Sequence, residues 1–473
     1  MKEFNKEKKL YDAITNISDD SINATNEMLN KNDNNHRLIW IKVLASCACI
    51  AVIASVIFIP NSRGKKSLVD KDYPVLTIEP LVNVTFPEAI SFDDYDTQWE
   101  IREVYPLDRE FIKAVNGFSF GSASKLLVDS KENINYSPLS LYLALAVSAE
   151  GTAGETEKEL LQLLGAKNKE ELAKNCKALY NNSFRDNEIG KEKIANSLWL
   201  QDGIKFKDEF LNNAAENFYA SSFNVDFKNK KTGENMSAWI SKETNGMINP
   251  QIETYPQQIL SIINTIYFSD QWQNKFFEEN TKEDDFNLSN GEKVKIDFMN
   301  QKEQAGFCRG EDFISASRQL KNGGRMIFVL PNEDVAPQDL ASSPEKLNEA
   351  LLGGESCYGT ITWKVPKMSI SSELDLIGTL KELGLEKMLG ENADFSEMIE
   401  NADDIYINNI EQQSKIKLDE KGVEAAAYTE IDYCGAGMPQ DNAEMILDRP
   451  FLYAVISSSG AILFVGICEN PTE

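Results

Sequence analysis

Apolar and polar positions divide the chain into four stretches. Residues 1–37 are polar and mixed in charge. Residues 38–59, LIWIKVLASCACIAVIASVIFI, are apolar, and the uninterrupted part, Val43–Ile59, has 17 residues, the short end of what crosses a bilayer. Snorkelling of Lys42 lets a span begin nearer Leu38. An ordinary core helix is set aside because the run is apolar on every side. A cleaved signal peptide is set aside because the segment ahead of it is too long. Leu44–Cys47 looks like a lipoprotein cleavage box, but the apolar run continues well past it. The expectation is a transmembrane anchor over 38–59. Charge does not orient it: Lys31, Arg37 and Lys42 lie on one side and Arg63, Lys65, Lys66 and Lys71 on the other.

Residues 60–107 carry Pro60, Pro74, Pro80, Pro87 and Pro106 among acidic and aromatic patches, and read as a linker with some structure of its own. The body runs from 108 to 473. It mixes helical periods (KELLQLLG, AAENFYASSF) with strand-like runs (ILSIINTIYF, RMIFVLPN, PFLYAVIS, AILFVGIC). Helices come first and strands spread through the second half. The pattern predicts an α+β fold with a mainly antiparallel sheet, and no internal repeat is present.

One segment does not fit a static reading. In LDEKGVEAAAYTEIDYCGAGMPQD, residues 418–441, an extended backbone puts Val423, Ala425, Ala427, Thr429, Ile431 and Tyr433 on one face. Glu424, Ala426, Tyr428, Glu430 and Asp432 fall on the other, which takes every charge. The first face suits burial in the middle of a sheet. Helix remains open as well, because alanine is the best helix former. The preceding IYINNIEQQSKIKLDE alternates like a strand, and the following CGAGMPQDN, with two glycines and a proline, reads as an exposed loop. The arrangement makes sense if the segment lies sometimes outside a sheet and sometimes within it.

Composition removes most alternatives. At 42% hydrophobic the chain can bury a large core, and a formal charge of −27 argues against nucleic acid as a partner. The seven cysteines are odd in number, widely spaced and contain no CxxC pair, so neither a zinc site nor a disulfide framework is expected. The single histidine, His36, lies in the polar N-terminal stretch. No Ser-His-Asp or Cys-His nucleophile system and no HExxH metal site can be assembled in the body. GxxxxGK[ST] and GxGxxG motifs are missing too. Chance pairs among 75 acidic residues leave carboxylate chemistry formally open.

At many ordered places residues 108–473 resemble the serpins. NINYSPLSLYLALAVSAEGTAGET is similar to the family's second-helix segment. LSIINTIYFSDQW is similar to the central-sheet strand that ends in a tryptophan, here Trp272, with Asn264 inside it. WKVPKMSI, LKELGLEKML and ADFSEM follow in order, and DRPFLYAVISSSGAILFVGICENP is similar to the C-terminal strands. DEKGVEAAAYTEI is similar to the hinge of a reactive-centre loop, which would span about 422–447.

The resemblance implies three β-sheets, about eight to nine helices and an exposed bait loop. It also implies a suicide-substrate mechanism. The protease's own serine attacks the bait bond and forms an acyl-enzyme, and the cut loop inserts as a new central strand. The displaced protease loses its oxyanion hole, and the ester persists. Such an inhibitor needs no catalytic residue, cofactor or metal, and its stability is kinetic. The hinge residues implied are Gly422, Val423, Glu424, Ala425, Ala426, Ala427 and Thr429, with Gly422 letting the chain bend. Counting along from Gly422 at the family's usual spacing puts the cleaved bond at Ala436–Gly437, with Gly435 or Met438 open if the register slips. A small bait residue selects subtilisin-like or elastase-like proteases. Ser137, Ser140, Asn264, Trp272 and Gln412 fall at the shutter and breach beneath and above the insertion site, as buried hydrogen-bonding or packing residues. Gln412 stands where the family usually has histidine, and its amide can still donate and accept. Tyr433 would face inward and is bulky. Cys434 lies beside the bait and suggests a papain-like cysteine protease as a further partner.

The expectation is therefore a non-enzymatic, monomeric, membrane-anchored inhibitor of the bacterial type, single-pass, with the body extracellular. The alternative is a non-inhibitory serpin, a binding or structural module whose loop is only cleaved. An uncharged inward hinge face favours the first.

Overall fold

The computed structural model describes residues 74–400, 405, 407, 409–423 and 441–472. The chain divides into Met1–Asp70 and Lys71–Glu473. The expected transmembrane run falls in the first unit, outside the described residues. Among the described residues no helix is long and apolar enough to cross a membrane.

The described residues form ten α-helices and sixteen strands. In chain order the first are α1 (Tyr95–Val104), α2 (Arg109–Leu127), β1 (Ile134–Tyr136), α3 (Pro138–Glu150), α4 (Gly154–Leu163), α5 (Lys169–Ser183), β2 (Arg185–Asp186), β3 (Lys191–Gln201), α6 (Asp208–Phe218), β4 (Ala220–Val225), α7 (Lys230–Glu243) and β5 (Leu260–Gln271). There follow β6 (Lys282–Asn287), β7 (Lys293–Arg309), β8 (Phe313–Gln319), β9 (Arg325–Pro331), α8 (Pro337–Leu340), α9 (Pro344–Leu352), β10 (Glu355–Pro366) and β11 (Met368–Asp375). Last come α10 (Ile377–Glu382), β12 (Glu411–Asp419), β13 (Gly422–Val423), β14 (Asp441–Ile446), β15 (Phe451–Ile456) and β16 (Ile462–Cys468).

The strands make two hydrogen-bonded sheets where three were expected. The long strand β7 causes the merger. It pairs with β10 along most of its length, and its last residues, Phe307–Arg309, also pair with β8 on the opposite edge. Two sheets thereby become one, ordered β1-β16-β15-β9-β8-β7-β10-β14 with β6 beside β7. The second sheet runs β11-β12-β13-β5-β3-β2, with β4 parallel to β3.

Helix α3 explains how the sheets are held together. Pro138 opens it, and every residue except Ala144 is buried, Ser140, Ser148 and Glu150 among mostly apolar side chains, so it lies inside. It packs on β5 of the smaller sheet and β16 of the larger. The other face of the smaller sheet carries a separate cluster in which Trp199 and Phe223 stack beneath Met236 and Trp239 of α7.

Part of the expected linker belongs to this body. Leu76 and Ile78 pack on the α7 cluster, and Thr77 N donates to Asn235 Oδ1 at 2.7 Å. Val82 bridges to Ser222, and Phe86 stacks on Tyr180. Prolines at 74, 80 and 87 keep this segment extended while its apolar side chains reach the surface cluster.

Candidate functional site

The segment expected as the hinge is entered through a hairpin. Strand β12 alternates buried and open positions, with Gln412, Ser414, Ile416 and Leu418 buried. The chain reverses at Glu420–Lys421, where Lys421 N donates to Asp419 Oδ1 at 3.0 Å, and returns as Gly422–Val423. Gly422 opposes Asp419 on one side and Gln271 on the other, and Val423 opposes Leu418 and Asp270. Both pairings are antiparallel, so β5 and β12 run parallel to each other. Among the described residues they are joined only through these two residues of β13.

Gly422 is fitted for close approach. A Cβ there would sit 2.2 Å from Asp270 O and 2.7 Å from Gln271 Cα. Its φ is not among the positive ones, so smallness between two strands, and not left-handed backbone, is what this position requires. Glu424, Ala425, Ala426, Ala427, Thr429, Ala436 and Gly437 lie outside the described residues.

Three successive carbonyls of the hairpin are held by one segment at the end of β5. Trp272 Nε1 donates to Asp419 O at 3.1 Å, Phe276 N to Glu420 O at 3.0 Å and Trp272 N to Lys421 O at 3.0 Å. Trp272 is buried and packs edge-on against Phe276. Glu420 is itself buried, accepting from Thr281 Oγ1 at 2.8 Å and pairing with Lys367 at 3.1 Å. Burial alone would raise its pKa; bonds from backbone N–H, Thr281 and Lys367 outweigh that and lower it.

The other side of the hairpin is acidic and dry. Asp270, opposite Val423, accepts from Gln271 N at 2.8 Å and from Asn322 N and Nδ2 at 3.0 Å. Burial still pushes it up to about 7. Glu192, on β3 near Arg185, is pushed up to about 8 by burial, which Arg185 and Ser183 only partly offset.

Of the residues expected at the shutter, Ser137 and Gln412 come together, with a second polar cluster beside them. Ser137 N donates to Gln412 Oε1 at 2.7 Å, and Gln412 Nε2 donates back to Ser137 O at 2.9 Å. Ser137 Oγ donates to Leu463 O at 2.7 Å. Beside them Asn135 Nδ2 donates to Ser414 Oγ at 2.9 Å and Tyr453 Oη to Asn135 Oδ1 at 3.1 Å. Asn264 stands apart from Gln412: its Nδ2 donates to Asn196 Oδ1 at 2.7 Å, and its Oδ1 is buried with no partner. Ser140 is buried in the first turn of α3.

Sequence reasoning misses Asn135, Ser414, Tyr453, Glu420 and Lys367. Ser414 carries a readable signal, a small polar residue at a buried position of an alternating strand. Asn135, next to Ser137, and Tyr453, in an apolar run, carry none.

The comparisons agree with this geometry. A sequence profile described as serpin (serine protease inhibitor) matches residues 113–471. Serpin-ZX of Arabidopsis thaliana is 28% identical over 390 residues, covering 77% of this chain and 99% of that protein. The native-state crystal structure of the thermophilic serpin tengpin superposes with a TM-score of 0.70 at 25% identity, covering 83% of this chain and 99% of that one. Serpin48, described as a highly specific serpin of the insect Tenebrio molitor, gives 0.68 at 28% identity, over 77% of this chain and 98% of that one. A profile match across residues 113–471, most of the chain, shows that the chain belongs to the serpin family.

Proposed function

We propose that this protein is a suicide-substrate inhibitor of serine proteases with a small-residue specificity pocket, of the subtilisin-like or elastase-like kind. The observation that supports the reading is the two-residue strand β13, wedged between two parallel strands, β5 and β12, that nothing else joins to each other within the sheet among the described residues. Continuing its register is simple arithmetic. Ala425 then falls opposite Ile416 and Phe268, Ala427 opposite Ser414 and Ile266, and Thr429 opposite Gln412 and Asn264. Directly opposed residues share a face, so the first four inward residues are Val423, Ala425, Ala427 and Thr429, ahead of Ile431 and the bulky Tyr433. None of the first four is large or charged. Thr429 would bring a hydroxyl to Asn264, whose buried Oδ1 has no partner. Inserting the loop completes a sheet that is otherwise joined at one corner, and that gain drives displacement of the acyl-enzyme. The protein supplies the bait and the spring, and the protease supplies the chemistry.

The bait bond in this reading is Ala436–Gly437. The body is held at the outer surface of a cell membrane, bacterial by its single-span layout, through residues 38–59. The partner is a serine protease bound covalently, with a papain-like cysteine protease as a further target. The test mixes full-length protein with subtilisin. A band at the summed mass that survives boiling in detergent, with a released peptide beginning at Gly437, is the expected result. Clean cleavage with the protease still active, repeated with elastase-like and papain-like enzymes, would leave a non-inhibitory serpin. The anchor is checked by fractionation. Protein that pellets with membranes and is trimmed by protease added outside intact cells agrees with it, and protein in the soluble fraction does not.

A further inference from the structure

One buried cation connects the two anchor points of the loop. Arg318, on β8, is almost fully buried. Its guanidinium lies 4.0 Å from the Phe276 ring centroid, 5.6 Å from that of Trp272 and 5.5 Å from that of Trp363. Nη1 pairs with Glu303 Oε1 at 3.0 Å, and Nη2 donates to Asn274 O and to Gln301 Oε1. The Glu303 oxygen that takes Arg318 also accepts from Trp363 Nε1 at 2.7 Å.

Each contact has a direction. Trp272, Asn274 and Phe276 belong to the segment that holds the carbonyls of Asp419, Glu420 and Lys421, at the start of the hinge. Trp363 lies on β10, which pairs in parallel with β14, Trp363 opposing Met445, at the far end of the loop. Arg318 thus reaches the hinge clamp with its ring stack and one guanidinium edge, and the exit strand through Glu303 and Trp363. The planar fork suits this bridging, which an ammonium cannot reproduce at two places.

We propose that Arg318 is a positioning residue for loop insertion: it keeps the Trp272–Phe276 clamp closed on Asp419–Lys421 and ties that clamp to the strand on which the loop ends. This rests on the inhibitory reading above for its purpose, but its structural content can be tested separately. With the clamp loose, Gly422 and Val423 lose their fixed register and the cut loop enters the sheet more slowly than the acyl-enzyme hydrolyses.

The experiment compares full-length wild type with Arg318→Met and Arg318→Lys. The first readout is amide hydrogen exchange in the uncut protein. Gly422 and Val423 should exchange at least tenfold faster in R318M, with β15 and β16 unchanged and R318K in between. The second is the number of inhibitor molecules consumed per protease trapped, expected to rise several-fold in R318M, with the rate of loop cleavage unchanged. Exchange that is unaltered at Gly422 and Val423, or accelerated equally in β15 and β16, overturns the proposal, because Arg318 would then be an inert or merely structural residue. If R318M does not fold, the same exchange ratio in R318K, which retains the charge beside Glu303, decides the matter. Failure of wild type to trap any protease refutes the inhibitory reading, and the exchange ratio then settles by itself whether Arg318 holds the clamp.

Discussion

Gln412 and Ser137 form a reciprocal pair: the side-chain amide of one accepts from the backbone N–H of the other at 2.7 Å and donates to its carbonyl at 2.9 Å. Both are buried, and the pair joins β12 to the start of α3. Glutamine meets both demands with one planar group and no charge. A neutral imidazole, with one donor and one acceptor pointing apart, cannot bind both backbone atoms of one residue.

Replacing Gln412 by alanine should therefore orphan the Ser137 N–H, while Ser137 O keeps Leu141 N at 3.4 Å. A buried unpaired donor costs about 1–3 kcal/mol. Urea unfolding should register that loss in the midpoint with an unchanged slope. Q412E should be worse at neutral pH, since a carboxylate cannot donate to Ser137 O, and should recover toward wild type on acidification.

Gly422→Ala should force β5 away from the hinge, because its Cβ would lie 2.2 Å from Asp270 O. Overpacking of this kind costs about 1–3 kcal/mol. The check is thermal unfolding together with exchange at Val423, which should quicken. An unchanged midpoint would mean that the strands separate without cost.

The ion pair between Glu420 and Lys367, 3.1 Å long and with a buried carboxylate, should matter more than a surface pair. Glu420→Gln keeps the Thr281 bond and loses the charge, and should cost about 1 kcal/mol at neutral pH. Glu420→Lys places two ammonium groups at the mouth of the sheet, and should show as a larger drop in midpoint.

Glu192 predicts a pH dependence. Its folded pKa is raised by burial to about 8 from an ordinary carboxylate value of 4.5, so the folded state binds the proton more tightly than the unfolded chain. The stability it contributes is fully present below pH 4.5 and is lost as pH rises through about 8. Glu192→Gln should thus raise the unfolding midpoint at pH 8.5, by an amount on the order of 1–3 kcal/mol, and leave it unchanged near pH 4. Asp270 titrates in the same sense toward about 7, so a residual slope should persist in the variant.

On the proposed inhibitory reading, an arginine at Ala427 should turn the protein from an inhibitor into a substrate. If the register of Gly422 and Val423 continued, that position would fall inward opposite Ser414 and Ile266, both at the buried face. Burying an unpaired guanidinium there opposes insertion. Loop cleavage by subtilisin should stay as fast as wild type, while the detergent-stable band disappears. A band of undiminished intensity would contradict the register.

Much of this protein was legible in the chain itself. The alternation Gln412, Ser414, Ile416, Leu418 marks a strand with one buried face, and the small uncharged set after Gly422 marks a strand that can follow it, because side-chain direction in an extended chain depends only on position. Histidine occurs at position 36 and nowhere in 108–473, which leaves no imidazole there for a nucleophile system, because composition alone decides whether a group is present. What the tertiary structure decided were the meetings between distant segments. That β7 fuses two sheets, that residues 74–86 pack on the body, that Gln412 grips Ser137 and not Asn264, and that Arg318 bridges both ends of the loop all depend on which surfaces are brought together. Hydrogen bonds and ion pairs between residues hundreds of positions apart leave no period in the sequence. Only the packing that brings their side chains within about 3 Å of one another selects the partner.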